Sequence, residues 1–451
     1  YFSIPESPMT SMEMTRKLLY EHTPSQALAI FVEADLTRKQ YEVIHAANKN
    51  VYPCYSLVKR AKKDCYPREE SMRVTETCAE INLQDLLDHT SARLFMYLDE
   101  VLESINEEEI SSLELLSKWR CDVFQQQQFK QKFGNSTDSD SSIFQSSFVP
   151  LRLICNIGDQ KKIIWQNPVP SSARYCPTHT NPESNQNLEK KCYICGLKFG
   201  LSTLHTRIRF FESLLHLSYK IPIKKWQART KEHKNIVAER KKKIQEAFKE
   251  EMGLLVDIPK AGFGNTNDGN TARRFFSNPE TSSRITGIDI NVIKKCSVIL
   301  ETLSSGLKID TQKFENFAEQ TAKLYVDLYE WHPMSPTMHK ILRHGATVID
   351  HAILPIGQLS EEAAEARNKH FRMYRQNFSR KFSREGCNKD VLNRLLLTSD
   401  PFLSSTRQRQ RKKSKPFSVE ALELFLPETS YVSSTEFDNE EDDGSSEGDS
   451  D

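Results

Sequence analysis

FVPLRLICNIGDQKKIIWQNP, residues Phe148 to Pro168, is the stretch that decides the fold class. Two apolar-rich runs, Phe148 to Ile157 and Lys161 to Pro168, flank Gly158-Asp159, a pair that suits the tight turn of a β-hairpin. Just upstream, LELLSKWRCDVF (Leu113 to Phe124) is short and partly apolar, so three strands are expected here. The Gln- and Ser-rich stretch between Gln125 and Ser142 reads as a loop. Residues 169 to 191 hold almost no apolar run, and no further strand is expected there.

Outward from this block the periodicity is helical. Thr23-Pro24 opens a run with Ala27, Leu28, Ile30 and Phe31. Thr37 suits the cap of a second helix bearing Tyr41, Val43 and Ile44, and Pro53 opens a third. That third helix carries Lys59, Arg60, Lys62 and Lys63 beside Leu57 and Val58, so a tri-helical unit with a basic last helix is expected to lie against DNA phosphates. Glu80 to Glu107 again reads as helix. Beyond Leu201 helices are expected over about Thr203 to Tyr219, Gln227 to Met252, Asn291 to Ser304, Thr311 to Tyr329 and Met338 to His351. The sharpest start is Ser360, followed by Glu361, Glu362 and Glu365 where negative charge suits the helix dipole.

Length and charge narrow the function classes. The 451 residues allow two to four domains, at the typical ~100 to 200 residues each. The chain begins at Tyr1 rather than Met, so a piece of a longer protein is expected. No run approaches the ~20 apolar residues that span a bilayer, and no signal-peptide pattern opens the chain, so an intracellular protein without a membrane partner is expected. Ten scattered cysteines suit reduced thiols and one metal site better than a disulfide framework. The net charge of +1 conceals a polarity. Residues 436 to 451 carry nine acidic groups and no basic one, so removing them leaves +10 for residues 1 to 435. A basic body with an acidic tail suits nucleic-acid binding. The block RQRQRKKSK (Arg407 to Lys415) suits nuclear import or phosphate contact.

Eight runs together carry a family resemblance. They are QALAIFVEADLTRKQYEVI (Gln26 to Ile44), NPVPSSARYC (Asn167 to Cys176), CYICG (Cys192 to Gly196), LKFGLSTLH (Leu197 to His205), NDGNTARRFFSN (Asn267 to Asn278), ITGIDINVIKK (Ile285 to Lys295), YEWHPMSPTMHKILRHG (Tyr329 to Gly345) and LPIGQLSEEAAEARNK (Leu354 to Lys369). In these runs and in their order the chain, over about residues 20 to 405, resembles the Transib superfamily of DDE transposases. That superfamily includes the V(D)J recombination-activating protein of vertebrates, and the likeness is closer to the transposons.

The resemblance implies a ribonuclease-H-like fold in which two aspartates and one glutamate hold two Mg²⁺ or Mn²⁺ ions for DNA cleavage and strand transfer. Such metals activate the attacking oxygen and stabilise the displaced one. Asp122 matches the first aspartate, although Arg120 and Val123 stand where small glycines are usual. Glu365 matches the glutamate, and Arg367, Arg372, Arg375, Arg380, Lys381 and Arg384 on its helix and the continuation of that helix would meet DNA. The second aspartate should lie on a further strand between the hairpin and the CxxC, yet no Asp occurs between Pro168 and Cys192. Glu183 and Glu189 have no strand to carry them, and Asp159 sits at the hairpin turn. An internally deleted, catalytically defective copy is therefore expected.

Cys192-x2-Cys195 is half of a structural zinc site, because the short turn directs both thiolates to one ion. The resemblance completes it with His339 and His344. A local alternative is Cys176 with His179.

The architecture expected is mixed α/β and mostly helical. It runs from a helical dimerisation and DNA-binding unit (1–70) through a helical linking segment (71–110) to a truncated ribonuclease-H-like sheet (111–191). A helical zinc-binding insertion (192–353), the glutamate helix (354–405) and a disordered basic then acidic tail (406–451) follow. The expected partners are double-stranded DNA at transposon terminal repeats and a second copy in a homodimer, in the nucleus. The competing expectations are an active transposase with a misread exon and a domesticated chromatin or regulatory DNA-binding factor.

Overall fold

The computed structural model describes residues 21–125, 142–157, 160–167, 174–179, 201–259, 265–360, 362–406 and 416–427. Among these, the side chains at 120–125, 142, 146, 157, 160, 174–179, 362–366 and 406 are not described. The protein is mixed α/β and mostly helical, and among the described residues no helix is long and apolar enough to cross a membrane.

In chain order, helices α1 (Pro24–Glu33), α2 (Arg38–Ala47) and α3 (Tyr55–Lys63) precede strands β1 (Met72–Val74) and β2 (Cys78–Ile81). Helices α4 (Leu83–Tyr97), α5 (Asp99–Leu102) and α6 (Glu107–Ser111) lead to strands β3 (Leu113–Gln125), β4 (Ser142–Ile157), β5 (Gln160–Gln166) and β6 (Arg174–His179). Then come α7 (Thr203–Lys220), α8 (Lys231–Met252), α9 (Gly269–Ser277), α10 (Pro279–Thr286), α11 (Ile290–Ser304), α12 (Thr311–Tyr329) and α13 (Pro336–Asp350). Helices α14 (Glu362–Asn377), α15 (Arg384–Thr398), α16 (Pro401–Thr406) and α17 (Val419–Glu423) complete the order. Two compact units divide the chain. The first joins residues 1–197 to 363–411, and the second joins 198–362 to 412–451.

In the first unit the three expected N-terminal helices are present, and their caps explain their limits. The Thr23 hydroxyl accepts from the Gln26 N–H while the Thr23 N–H donates to the Gln26 side chain. Thr37 and Gln40 repeat this capping box. Leu28, Phe31, Tyr41 and Val58 form their core with Leu397 of α15 and Leu403 of α16. A bidentate ion pair seals the same region. Arg93 of α4 donates to both carboxylate oxygens of Asp400 at 2.9 and 3.0 Å, with side chains 6% and 0% exposed.

The sheet is antiparallel, in the order β1-β2-β6-β4-β3, with β5 also on β4. The expected hairpin is β4-β5, with Ile157 opposite Gln160. Strand β4 is long enough to pair with β3 along one edge while its other edge serves β6 at Phe144 to Phe148 and β5 at Arg152 to Ile157. A register shift between Leu116 and Ser117 falls opposite Pro150, which has no N–H to offer the ladder. Asn167 repairs the break, its side-chain amide donating to Pro150 O at 2.6 Å and its backbone N–H to Leu151 O at 2.8 Å.

Two sequence expectations are corrected here. Arg174–His179, within the stretch expected to lack strands, is β6, because the pairing edges of β4 and β2 recruit a polar segment that has no apolar alternation of its own. The segment expected to be a wholly helical link contains the β1-β2 hairpin, whose strands of three and four residues are too short to show a period.

The second unit is helical around Phe210, Phe211, Phe248, Phe275, Phe314, Tyr325 and Met338, all fully buried or nearly so. Several resemblance runs are its punctuation. Asp268 caps α9, Asp289 caps α11 and Ser335 caps α13 with Pro336 behind it, while Gly287 ends α10 at φ 74°. Gly357 is required for a different reason. A Cβ there would lie 2.5 Å from Ser304 O and Gly306 N, so only glycine lets the chain pass. Its neighbour Gln358 donates to Gly306 O at 2.9 Å.

Candidate functional site

Asp122 stands on β3 with Gln145 of β4 as its cross-strand partner. Glu365 stands in the first turn of α14. The side chains of both carboxylates lie outside the described residues. One buried cluster links the strand beside β3 to the helix that bears Glu365. Ile143 is two residues before the partner of Asp122, and it belongs to one buried cluster with Phe371 and Tyr374 of α14 and with Cys387, Val391 and Leu395 of α15. Phe371 follows Glu365 by six residues, a rise of about 9 Å along a helix. Gln145 adds an unmet polar atom, since its Oε1 is buried without a hydrogen-bond partner and the residue is only 4% exposed. Leaving such an oxygen dry and unpaired typically costs ~1–3 kcal/mol.

Strand β6 lies between the hairpin and the CxxC, where the resemblance calls for a strand with the second aspartate, but it brings no carboxylate. Among the described residues β3 pairs with β4 alone, while β6 pairs with β4 and β2 and contains no Asp or Glu. Among the described residues no group of three or more His, Cys, Asp and Glu is arranged to hold a metal ion, and the side chains of Asp122 and Glu365 lie outside those residues.

The basic residues divide by exposure. On α3, Lys59, Arg60 and Lys63 are exposed, whereas Lys62 turns inward, and burial followed by the nearby charge of Arg394 pulls its ammonium below the usual lysine range. On α14, Arg372 is exposed and Arg367 half-buried, but Arg375 is only 5% exposed and belongs to the core. Expecting Arg380, Lys381 and Arg384 to continue that helix is also corrected. Helix α14 ends at Asn377, and Arg380 instead clamps Asp390 of α15 at 2.8 and 2.9 Å. Phe378, just past the helix end, packs in the core beneath the guanidinium of Arg394.

Of the expected zinc ligands, Cys192 and Cys195 lie outside the described residues. His339 and His344 are both exposed on α13, and the helical turn brings their ring centroids to 5.4 Å. The alternative pair, Cys176 and His179, lies within β6 with side chains outside the described residues. Compared with known proteins, the chain matches no protein-family model and no curated protein.

Sequence reading missed the polar framework around this region. The Arg93–Asp400 clamp joins residues 307 apart in sequence, and only the Asp400-Pro401 helix start hinted at a special role for the aspartate. The orphaned Gln145 had no signal in the sequence.

Proposed function

We propose that the chain is a DNA-binding protein of the DDE-transposase type, built on a ribonuclease-H-like sheet, that holds DNA without cutting it. The observation that carries this reading is the make-up of the first unit. The strand with Asp122 and the helix with Glu365 are 243 positions apart in the chain, yet both belong to that unit, and α14 packs on the strand next to β3. The transposase resemblance calls for such a return of the glutamate helix to the first carboxylate strand.

The donor set does not suit two catalytic metals. Mg²⁺ prefers near-octahedral oxygen ligation with enough carboxylate to hold it against phosphate. Asp122, Glu365 and the amide oxygen of Gln145 fall one carboxylate short, so no cleavage step is assigned. What remains is phosphate binding, for which Lys59, Arg60 and Lys63 on α3 and Arg372 on α14 are exposed among the basic residues expected to meet DNA. Structural zinc on Cys192, Cys195, His339 and His344, a homodimer and a nuclear location belong to the same proposal.

Salt-dependent binding of the full chain to duplex DNA tests it. Each phosphate contact contributes a slope of about −0.9 in log K against log salt, so replacing Lys59, Arg60 and Lys63 by Ala should flatten the slope by about 2 to 3. Absence of binding at low salt overturns the proposal. Nicking of DNA with Mg²⁺ or Mn²⁺ that Asp122→Ala abolishes overturns the claim that the protein does not cut.

A further inference from the structure

The second unit carries a charge cluster that the carboxylate region does not use. The run from Lys220 to Lys234, both included, holds six Lys or Arg residues and one Glu. Helix α7 stops there because Pro222 cannot continue it and because Lys224, at φ 46°, closes the end by donating its N–H to Lys220 O at 3.0 Å. Lys224, Lys225, Arg229, Lys231 and Lys234 are all exposed, and among the described residues no carboxylate pairs with Lys224, Lys225, Lys231 or Lys234. The N-terminus of the 22-residue α8, capped by Thr230, adds its dipole to the same positive field.

In the middle of this run Trp226 is 50% exposed. Two exposed rings elsewhere each have a partner. Trp119 stacks on Phe148 with centroids 6.2 Å apart, and Phe382 lies under the Arg380 guanidinium. Trp226 has no such ring or cation contact among the described residues. An exposed indole set among cations that no carboxylate neutralises offers both parts of a single-strand site, a flat face on which a base stacks and charges that meet the flanking phosphates.

We propose that the α7–α8 turn binds unpaired nucleic acid, with Trp226 stacking on an exposed base and Lys224, Lys225, Lys231 and Lys234 gripping the phosphates on either side. This rests on the DNA-binding reading and sharpens it, because stacking on an indole requires a base out of its pair. The occupant is single-stranded or frayed DNA rather than intact duplex.

The test measures binding of the full chain to one mixed-sequence DNA, offered as a single strand and as a blunt duplex, across a salt series. Trp226→Ala should weaken single-strand binding between about fivefold and a hundredfold, the range for losing one base–aromatic stack. It should change duplex binding less than twofold, and Trp226→Phe should restore most of the loss. Lys224→Ala with Lys225→Ala should flatten the single-strand salt slope by about 1.4, at about −0.7 per phosphate. If the protein binds DNA but both variants bind the single strand within twofold of the unaltered chain, this inference falls and the proposed function stands. Equal losses on single strand and duplex overturn the preference for unpaired bases. No DNA binding at low salt overturns both.

Discussion

Removing the carboxylate of Asp400 should cost the first unit about 3–5 kcal/mol, the range for breaking one side of a buried ion pair. Arg93 is 6% exposed and gives Asp400 two hydrogen bonds, at 2.9 and 3.0 Å. Its remaining contacts are the Cys65 thiol at 3.7 Å, the Met96 thioether at 3.6 Å and the ring of Phe402 at 5.1 Å. None of these neutralises a guanidinium, and the nearby carboxylate of Asp64 offsets its charge only in part without a direct hydrogen bond, so Asp400→Ala leaves a buried charge without its bidentate partner. Asp400 also accepts from the Leu403 N–H at 3.0 Å, so α16 loses a cap worth about 1 kcal/mol. Exchanging both partners for apolar residues, Arg93→Met with Asp400→Leu, should recover much of the loss, because buried pairs are often replaceable in that way. Urea unfolding followed by circular dichroism and fluorescence measures the midpoint shift. A loss below about 1 kcal/mol for Asp400→Ala, or a double variant as unstable as the single one, would refute the argument that charge burial sets the penalty.

Three further outcomes follow from individual contacts. Asn167→Ala removes the 2.6 Å bond to Pro150 O and leaves the interrupted ladder of β4 unrepaired, so urea titration should show a loss of about 1–3 kcal/mol. Burial lowers His332 from 6.5 to about 4, and its Nδ1 lies 3.0 Å from the Tyr325 hydroxyl. Between those two values the unfolded chain binds the extra proton, so the second unit should be fully stable above about pH 6.5 and lose stability as the pH falls toward 4. His332→Phe should flatten that slope in thermal melts. Among the described cysteines, the hydrogen bond from Ser56 lowers the Cys54 thiol, whereas burial pushes Cys78 and Cys296 up to about 12. Brief maleimide labelling read by mass spectrometry should therefore modify Cys54 first, and earlier modification of Cys296 would contradict the burial argument.

Local chemistry determined much of the fold. Thr23 with Gln26, Thr37 with Gln40, Asp310 before Thr311 and Ser335 before Pro336 fix helix starts within a few residues of chain, because a cap bonds only to the turn it begins. The β4-β5 hairpin was legible for the same reason, since its two apolar runs flank one turn. Tertiary structure alone decided which edges those strands share. Polar, proline-containing β6 is a strand only because β4 and β2 supply partners from distant parts of the chain, and β1 and β2 are too short for periodicity to show. The same holds for the basic residues. Lys62 and Lys63 are neighbours of identical chemistry, and Arg372 and Arg375 lie one turn apart on α14, yet the first of one pair and the second of the other are turned inward. Sequence supplied the charges and the helices that carry them, and packing against α15 and the sheet decided which of those charges meet solvent, because burial depends on what lies opposite a side chain and not on its neighbours in the chain.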